Sequence, residues 1–309
     1  MRVMVTGGTG LIGRALTGKL VERGDEVVIL SRSPEKAKGF PAGVQLAGWD
    51  GKTTNGWGDL VNQVDAIVNL AGASIAGDGL FPQRWTEKRK DLIYSSRMQA
   101  GTAVLDAIKR AEHKPKALVQ SSAIGFYGFH DDRPFDESEP PGMDFLAELS
   151  IDWEAATREV ENLGVRRAVI RTGLVLSDKG GVIPLFKLQF GLFAGGRMGD
   201  GRQIYSWIHI DDEVGAILFL LDNEHASGVF NLTAPEPVSN KDFARALGKA
   251  MKRPVWLPLP AFVLRLALGE VAELSLKGQR VLPQRLLDAG YQFWYPAIDD
   301  AVGTLVGKG

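Results

Sequence analysis

Short apolar runs alternate with amphipathic stretches over the first two-thirds of this 309-residue chain. The runs at 3–6, 27–30, 44–47, 66–70, 117–121 and 168–171 are rich in β-branched residues and almost continuously apolar. That is the pattern of strands buried on both faces. Between them Ile12, Leu16 and Leu20 form an i, i+4 stripe, and 84–113 and 143–156 read as longer helices. Strand–helix alternation predicts an α/β fold, a Rossmann-type doubly wound parallel sheet with right-handed crossovers.

Past about residue 175 the rhythm loosens. The glycine-rich loops "LSDKGGVIP" and "FAGGRMGDGRQ" precede a strand–helix pair in "IYSWIHIDDEVGAILFLLDN" and a strand in "VFNLTA". From Ser239 onward the pattern is mostly helical, punctuated by Pro254, Pro258, Pro260, Pro283 and Pro296. The expected organisation is a dinucleotide-binding domain over 1–235, with substrate-pocket segments from about 175, and a small, mostly helical lobe over 236–309.

Composition narrows the class. Apolar residues make up 45% and charged residues 24%, ordinary for a globular chain with an ample core. A formal charge of -1 supplies no long-range field to attract nucleic acid or an anionic membrane. With 0 cysteines there are no disulfides, thiolate metal sites or cysteine nucleophiles. The apolar stretch "AFVLRLALGEVAELSL" is broken by Arg265, Glu270 and Glu273 and reads as a core helix, not a membrane span. The first strand begins with no leader ahead of it, and a cytoplasmic location is expected.

The candidate chemistry begins at the first strand–helix junction. "VMVTGGTGLIGRAL" places Gly7, Gly10 and Gly13 where a tight turn, close approach of a pyrophosphate and close helix packing each require a missing side chain. Thr9, Leu11 and Ile12 complete the loop whose amides would meet the phosphates. At the end of the second strand, "VVILSRSPEKA" has no acid for a ribose 2′-hydroxyl but offers Ser31 and Arg32. A guanidinium there suits a 2′-phosphate, so NADP(H) is expected in preference to NAD(H). Leu70, Ala71 and Gly72 close the fourth strand beside the first, with side chains small enough at Ala71, Gly72 and Ala73 to leave room for a ribose and adenine.

Taken together, "TGGTGLIG", "NLAG", "SSAIGFYG", "FDESEPP", "RTGLVLS" and "SWIHIDDEVGAI" resemble the short-chain dehydrogenase/reductase superfamily, near its extended, epimerase-like branch. The tail "LPQRLLDAGYQFWYP" is similar to a C-terminal domain of unknown function in the atypical bacterial "epimerase family protein" subgroup. The resemblance implies a Rossmann-type domain with a small lobe over the cofactor cleft. It also implies a catalytic tyrosine followed four residues later by a lysine that lowers its pKa and holds the nicotinamide ribose. That pair is missing. Aligning Glu154 with the glutamate that often trails the lysine puts Leu146 at the tyrosine position and Ser150 at the lysine position. Four residues beyond each of the five tyrosines stand Met98, Asp131, His209, Tyr295 and Asp299, none of them lysine.

The remaining candidates lie on the rim where open α/β sheets bind ligands. Ser122 and Tyr127 in "SSAIGFYG" are the candidate catalytic groups, Tyr127 with an expected pKa near ten. Ser121, Arg171 and His209 are substrate-pocket candidates, with His209 ahead of a helix capped by Asp211 or Asp212. Arg202 is a loop cation that could face an anionic substrate, and Glu148 and Asp152 are acids that burial would have to tune. His113, His130 and His225 form no ligand cluster, and no metal site is expected. "RWTEKRKDLIYSSR" reads as a solvated helix face. Two functions stay open. One is an NADP(H)-dependent oxidoreductase or epimerase/dehydratase on a small polar or nucleotide-sugar substrate, by a variant mechanism. The other is a non-catalytic NADP(H) sensor or scaffold. Helix 84–113 also suggests a homodimer.

Overall fold

A computed structural model describes residues 1–77, 79, 81–129 and 133–306. Seven strands form one sheet: β1 (Arg2–Thr6), β2 (Glu26–Ser31), β3 (Gln45–Gly48), β4 (Ala66–Asn69), β5 (Ala117–Ala123), β6 (Arg166–Thr172) and β7 (Gly228–Leu232). Their order is β7-β6-β5-β4-β1-β2-β3, and every neighbouring pair is parallel. The order reverses between β1 and β4, which opens a crevice at their carboxyl ends.

Alternation along each strand builds two cores. Val3, Val5, Ala66, Val68, Ala117 and Val119 point to one face, where α1 (Leu11–Glu22) and α5 (Ile210–Asp222) cover them. Met4, Ile67 and Leu118 point to the other, beneath α2 (Glu87–Arg110). Each fully covered aliphatic side chain stabilises the fold by roughly 1.5–3 kcal/mol relative to exposure, so the continuous apolar runs are explained by burial on two faces. A buried polar row ties the strand ends together. Thr6 Oγ1 donates to Asn69 Oδ1 at 2.6 Å, and Asn69 Nδ2 donates to Gln120 Oε1 at 2.9 Å.

A third cluster forms the lobe. It joins Leu176, Trp207 and, on α4 (Ile183–Gly191), Phe186 and Phe190 to Phe243 and Leu247 of α6 (Asn240–Met251) and to the C-terminal helix Ile298–Val306. The expected core helix in "AFVLRLALGEVAELSL" is not found. The segment breaks at Gly269, where φ is +63°, and α7 (Ala261–Leu268) buries only Leu264. Phe262 and Leu266 are 70% and 75% exposed. Arg265 apart, α7 is apolar around its circumference, and the lobe covers only one side of it. The long helix is shorter than the expected 84–113, because Thr86 caps α2 by accepting from Arg89 N. No helix among the described residues is long and apolar enough to cross a membrane.

Candidate functional site

The first turn of α1 is shaped by three glycines. Gly7 adopts φ +65°, and a Cβ there would lie 2.7 Å from Leu70 O. A Cβ on Gly13 would fall 2.5 Å from Gly7 O and 2.6 Å from Gly8 Cα, so the helix can approach the turn only without one. Gly10 is the N-cap and brings no capping side chain. The first helical bond is Arg14 N to Gly10 O. The amides of Leu11, Ile12 and Gly13 therefore have no acceptor among the described residues, at the positive end of a 12-residue helix. Thr9 and Gly10 are exposed beside them. This cradle fits a pyrophosphate.

The β2 side of the crevice carries cations. Ser31 is buried and its Oγ accepts from Ser33 N at 3.2 Å, while Arg32 is exposed just beyond it. Arg14, which sequence reasoning passed over, is also placed here. Its Nε donates to Thr9 O and its Nη1 to Lys38 O, both at 2.9 Å, and its guanidinium lies 4.6 Å over Phe40. The signal was its position immediately after Gly13, within the first turn of the helix. On the β4 side Ala71 N donates to Thr6 Oγ1, and Leu70 and Ala71 are half-buried. Gly72 is exposed, but one side of it is occupied, since a Cβ there would come within 3.1 Å of Arg97.

The structure brings Ser122, Tyr127 and Arg171 together, inside a buried network centred on Glu154 of α3 (Phe145–Ala155). Ser122 Oγ donates to Glu154 Oε1 at 2.7 Å. Arg171 grips the same carboxylate with Nε and Nη2 at 2.8 and 3.0 Å, and donates from Nη1 to Tyr127 OH at 3.0 Å. Tyr127 OH in turn donates to Asn231 Oδ1 at 2.8 Å. Removing two charges from water costs several kcal/mol per ion, and this fork geometry with every partner supplied is what offsets it. Burial pulls the Arg171 pKa down, but the hydrogen bond and charge of Glu154 outweigh it and the net shift is upward. Tyr127 does not keep a pKa near ten: burial, opposed by Arg171, pushes it up to about 12.

At the two positions that the resemblance aligns with tyrosine and lysine, α3 carries Leu146 and Ser150. Leu146 packs against the turn after β5, since a Cβ on Gly125 would lie 3.0 Å from its own Cβ. Ser150 Oγ is spent on Leu146 O at 2.7 Å. Glu148 and Asp152 are exposed, and Asp152 accepts from Tyr94 OH. Ser121 is buried beside Ser122, on the opposite face of β5.

His209, not Asp211 or Asp212, caps α5. Its Nδ1 accepts from Asp211 N at 3.1 Å, which assigns the proton of the neutral ring to Nε2, 3.2 Å from Thr304 Oγ1. The ring packs 4.0 Å from that of Tyr295, and burial holds its pKa below the usual value. Arg202 lines an open cavity of about 810 Å³ at the N-terminus of α6, where Arg197, Lys241 and Arg280 stand beside Asp200 and Asp242, and Arg202 pairs with Asp200 at 3.8 Å. His113 and His225 are exposed; His130 lies outside the described residues.

Comparison with known proteins identifies the family and the fold. Residues 3–233 match the NAD dependent epimerase/dehydratase family, and residues 259–305 match a domain of unknown function, DUF1731. The chain is 38% identical over 307 residues to the epimerase family protein YfhF of Bacillus subtilis, covering 99% of this chain and 98% of that protein. It is 39% identical over 313 residues to the chloroplastic SDR39U1 homolog of Arabidopsis thaliana, covering 99% and 87%. The crystal structure of human epimerase family protein SDR39U1 (isoform 2) with NADPH superposes with a TM-score of 0.86 at 35% identity, over 100% of both chains.

Proposed function

The chain belongs to the NAD dependent epimerase/dehydratase family, and from that premise we propose that it is an NADP(H)-dependent oxidoreductase or epimerase/dehydratase. It acts on a small polar or nucleotide-sugar substrate without a Tyr-x-x-x-Lys relay. The observation that carries the reading is the uncapped α1 N-terminus behind Gly7, Gly10 and Gly13, with Arg32 exposed at the end of β2. The solved relative with NADPH supports the same cofactor.

When bound, the nicotinamide supplies hydride chemistry. The residues of the chain hold it. The amides of Leu11, Ile12 and Gly13 take the pyrophosphate, and Arg32 takes the 2′-phosphate. Leu70, Ala71 and Gly72 bound the crevice on the β4 side.

A second reading, a non-catalytic NADP(H) sensor or scaffold, is favoured by one observation. Ser122 and Tyr127 are both engaged inside the Glu154–Arg171 network. Nicotinamide absorbance followed over a panel of aldehydes, ketones and nucleotide sugars separates the two. Turnover that survives Leu146→Ala and falls with Ser122→Ala or Tyr127→Phe supports the enzyme. NADPH binding with no turnover across the panel supports the sensor.

A further inference from the structure

We propose that Arg97, on α2, replaces the cation missing from α3 and donates to the hydroxyls of the nicotinamide-side ribose. This rests on the NADP(H) reading above. The sequence places Arg97 among cations of a solvated helix face, but the structure corrects that. It sits on the buried stripe of α2 with Ile93, Ala100, Gly101 and Val104, and is only 8% exposed.

Its surroundings are unusual for a buried charge. Buried guanidinium groups ordinarily meet a carboxylate, because desolvation costs several kcal/mol per ion. Among the described residues no acid pairs with Arg97. Burial, with added repulsion from Arg89, lowers its pKa to about 10. Nη1 donates to Ala73 O at 3.0 Å and to Ile93 O at 2.8 Å. Nε is buried without a partner, and both hydrogen bonds of the guanidinium run through Nη1. Anchoring the loop after β4 accounts for the Nη1 bonds and leaves the other donors unused.

The position of the group suggests what they are for. Its Cζ lies 4.6 Å over the ring of Trp153 in α3. On the other side it meets the backbone at Gly72, where a Cβ would approach its Cγ and Cζ to 3.1 Å. Arg97 is thus wedged between α3 and the carboxyl end of β4, on the far side of the β1/β4 crevice from the α1 cradle. A dinucleotide laid across that crevice, with its pyrophosphate at α1, delivers its nicotinamide half to the β4 side. A lysine on α3 would bring a cation to the same half, and Ser150 brings none. The neighbouring helix supplies it instead. The parallel N–H groups of a guanidinium suit two vicinal hydroxyls.

The test titrates the full-length chain with NADPH and with 2′,5′-ADP, which keeps the adenosine half and its phosphate but lacks the nicotinamide ribose. Arg97→Met and Arg97→Gln are each expected to weaken NADPH roughly tenfold or more while leaving 2′,5′-ADP within about twofold. Arg97→Lys, which keeps the charge, is expected to recover part of the loss. Unchanged NADPH affinity in the neutral variants overturns the inference while the cofactor reading stands. Equal loss of both ligands in both neutral variants marks a purely structural role and also overturns it. A wild-type chain that ignores NADPH defeats the cofactor reading, and this inference with it.

Discussion

Single side chains here are defined by what surrounds them more than by their type. Glu213 is the clearest case. It is fully buried on α5, accepts from Thr172 Oγ1 at 2.8 Å through one oxygen, and has no partner for the other. Burial, only partly opposed by Thr172, pushes its pKa up to about 8. An unfolded glutamate titrates near about 4.3, so the native state holds this proton through the interval in which the unfolded chain releases it. Stability from this group is complete below the unfolded value and is lost as pH rises through about 8. Denaturant titrations should show Glu213→Gln gaining on the wild type between about pH 6 and pH 9, by an amount on the order of a kcal/mol or more. Parallel pH profiles for the two proteins would contradict this assignment. Tyr127 teaches the same lesson: its hydroxyl is named in the sequence, but the burial that removes it from useful titration comes from β6, β7 and the segment around Phe135.

Elements were legible wherever one periodicity governed them. The main strands and α1 announce themselves because two-sided burial and an i, i+4 stripe each leave a local pattern. So do the three glycines, whose requirement is backbone contact with near neighbours. At Gly13 that contact is tight enough to predict a consequence: Gly13→Val must push α1 away from Gly7 and Gly8. Equilibrium unfolding is expected to show a loss of about 1–3 kcal/mol, with dinucleotide affinity falling alongside it. Wild-type stability and affinity in this variant would mean that α1 does not close on the turn. What the sequence left unread depends on contacts between distant elements. Glu154 meets Arg171 across 17 residues and Tyr127 meets Asn231 across 104. Arg97 was hidden by charged neighbours, although its spacing from Ile93 and Gly101 places it on the buried stripe. In α7 the error ran the other way, because apolar composition promises burial only if something lies opposite, and almost nothing does.

The whole molecule sets a β2 side of the crevice against a β4 side. The α1 cradle, Arg32 and Arg14 lie toward β2; the loop after β4, with Arg97 behind it, lies toward β5 and the lobe. Everything proposed about turnover, ribose contact and substrate presupposes that an NADP(H) molecule spans this crevice. Isothermal titration of the purified chain with NADPH and NADH, repeated on Arg32→Ala, examines that directly. The account predicts NADPH binding roughly tenfold or more tighter than NADH, with Arg32→Ala erasing most of the difference. Equal affinities in the wild type, an Arg32→Ala chain as selective as its parent, or no binding of either nucleotide would contradict it.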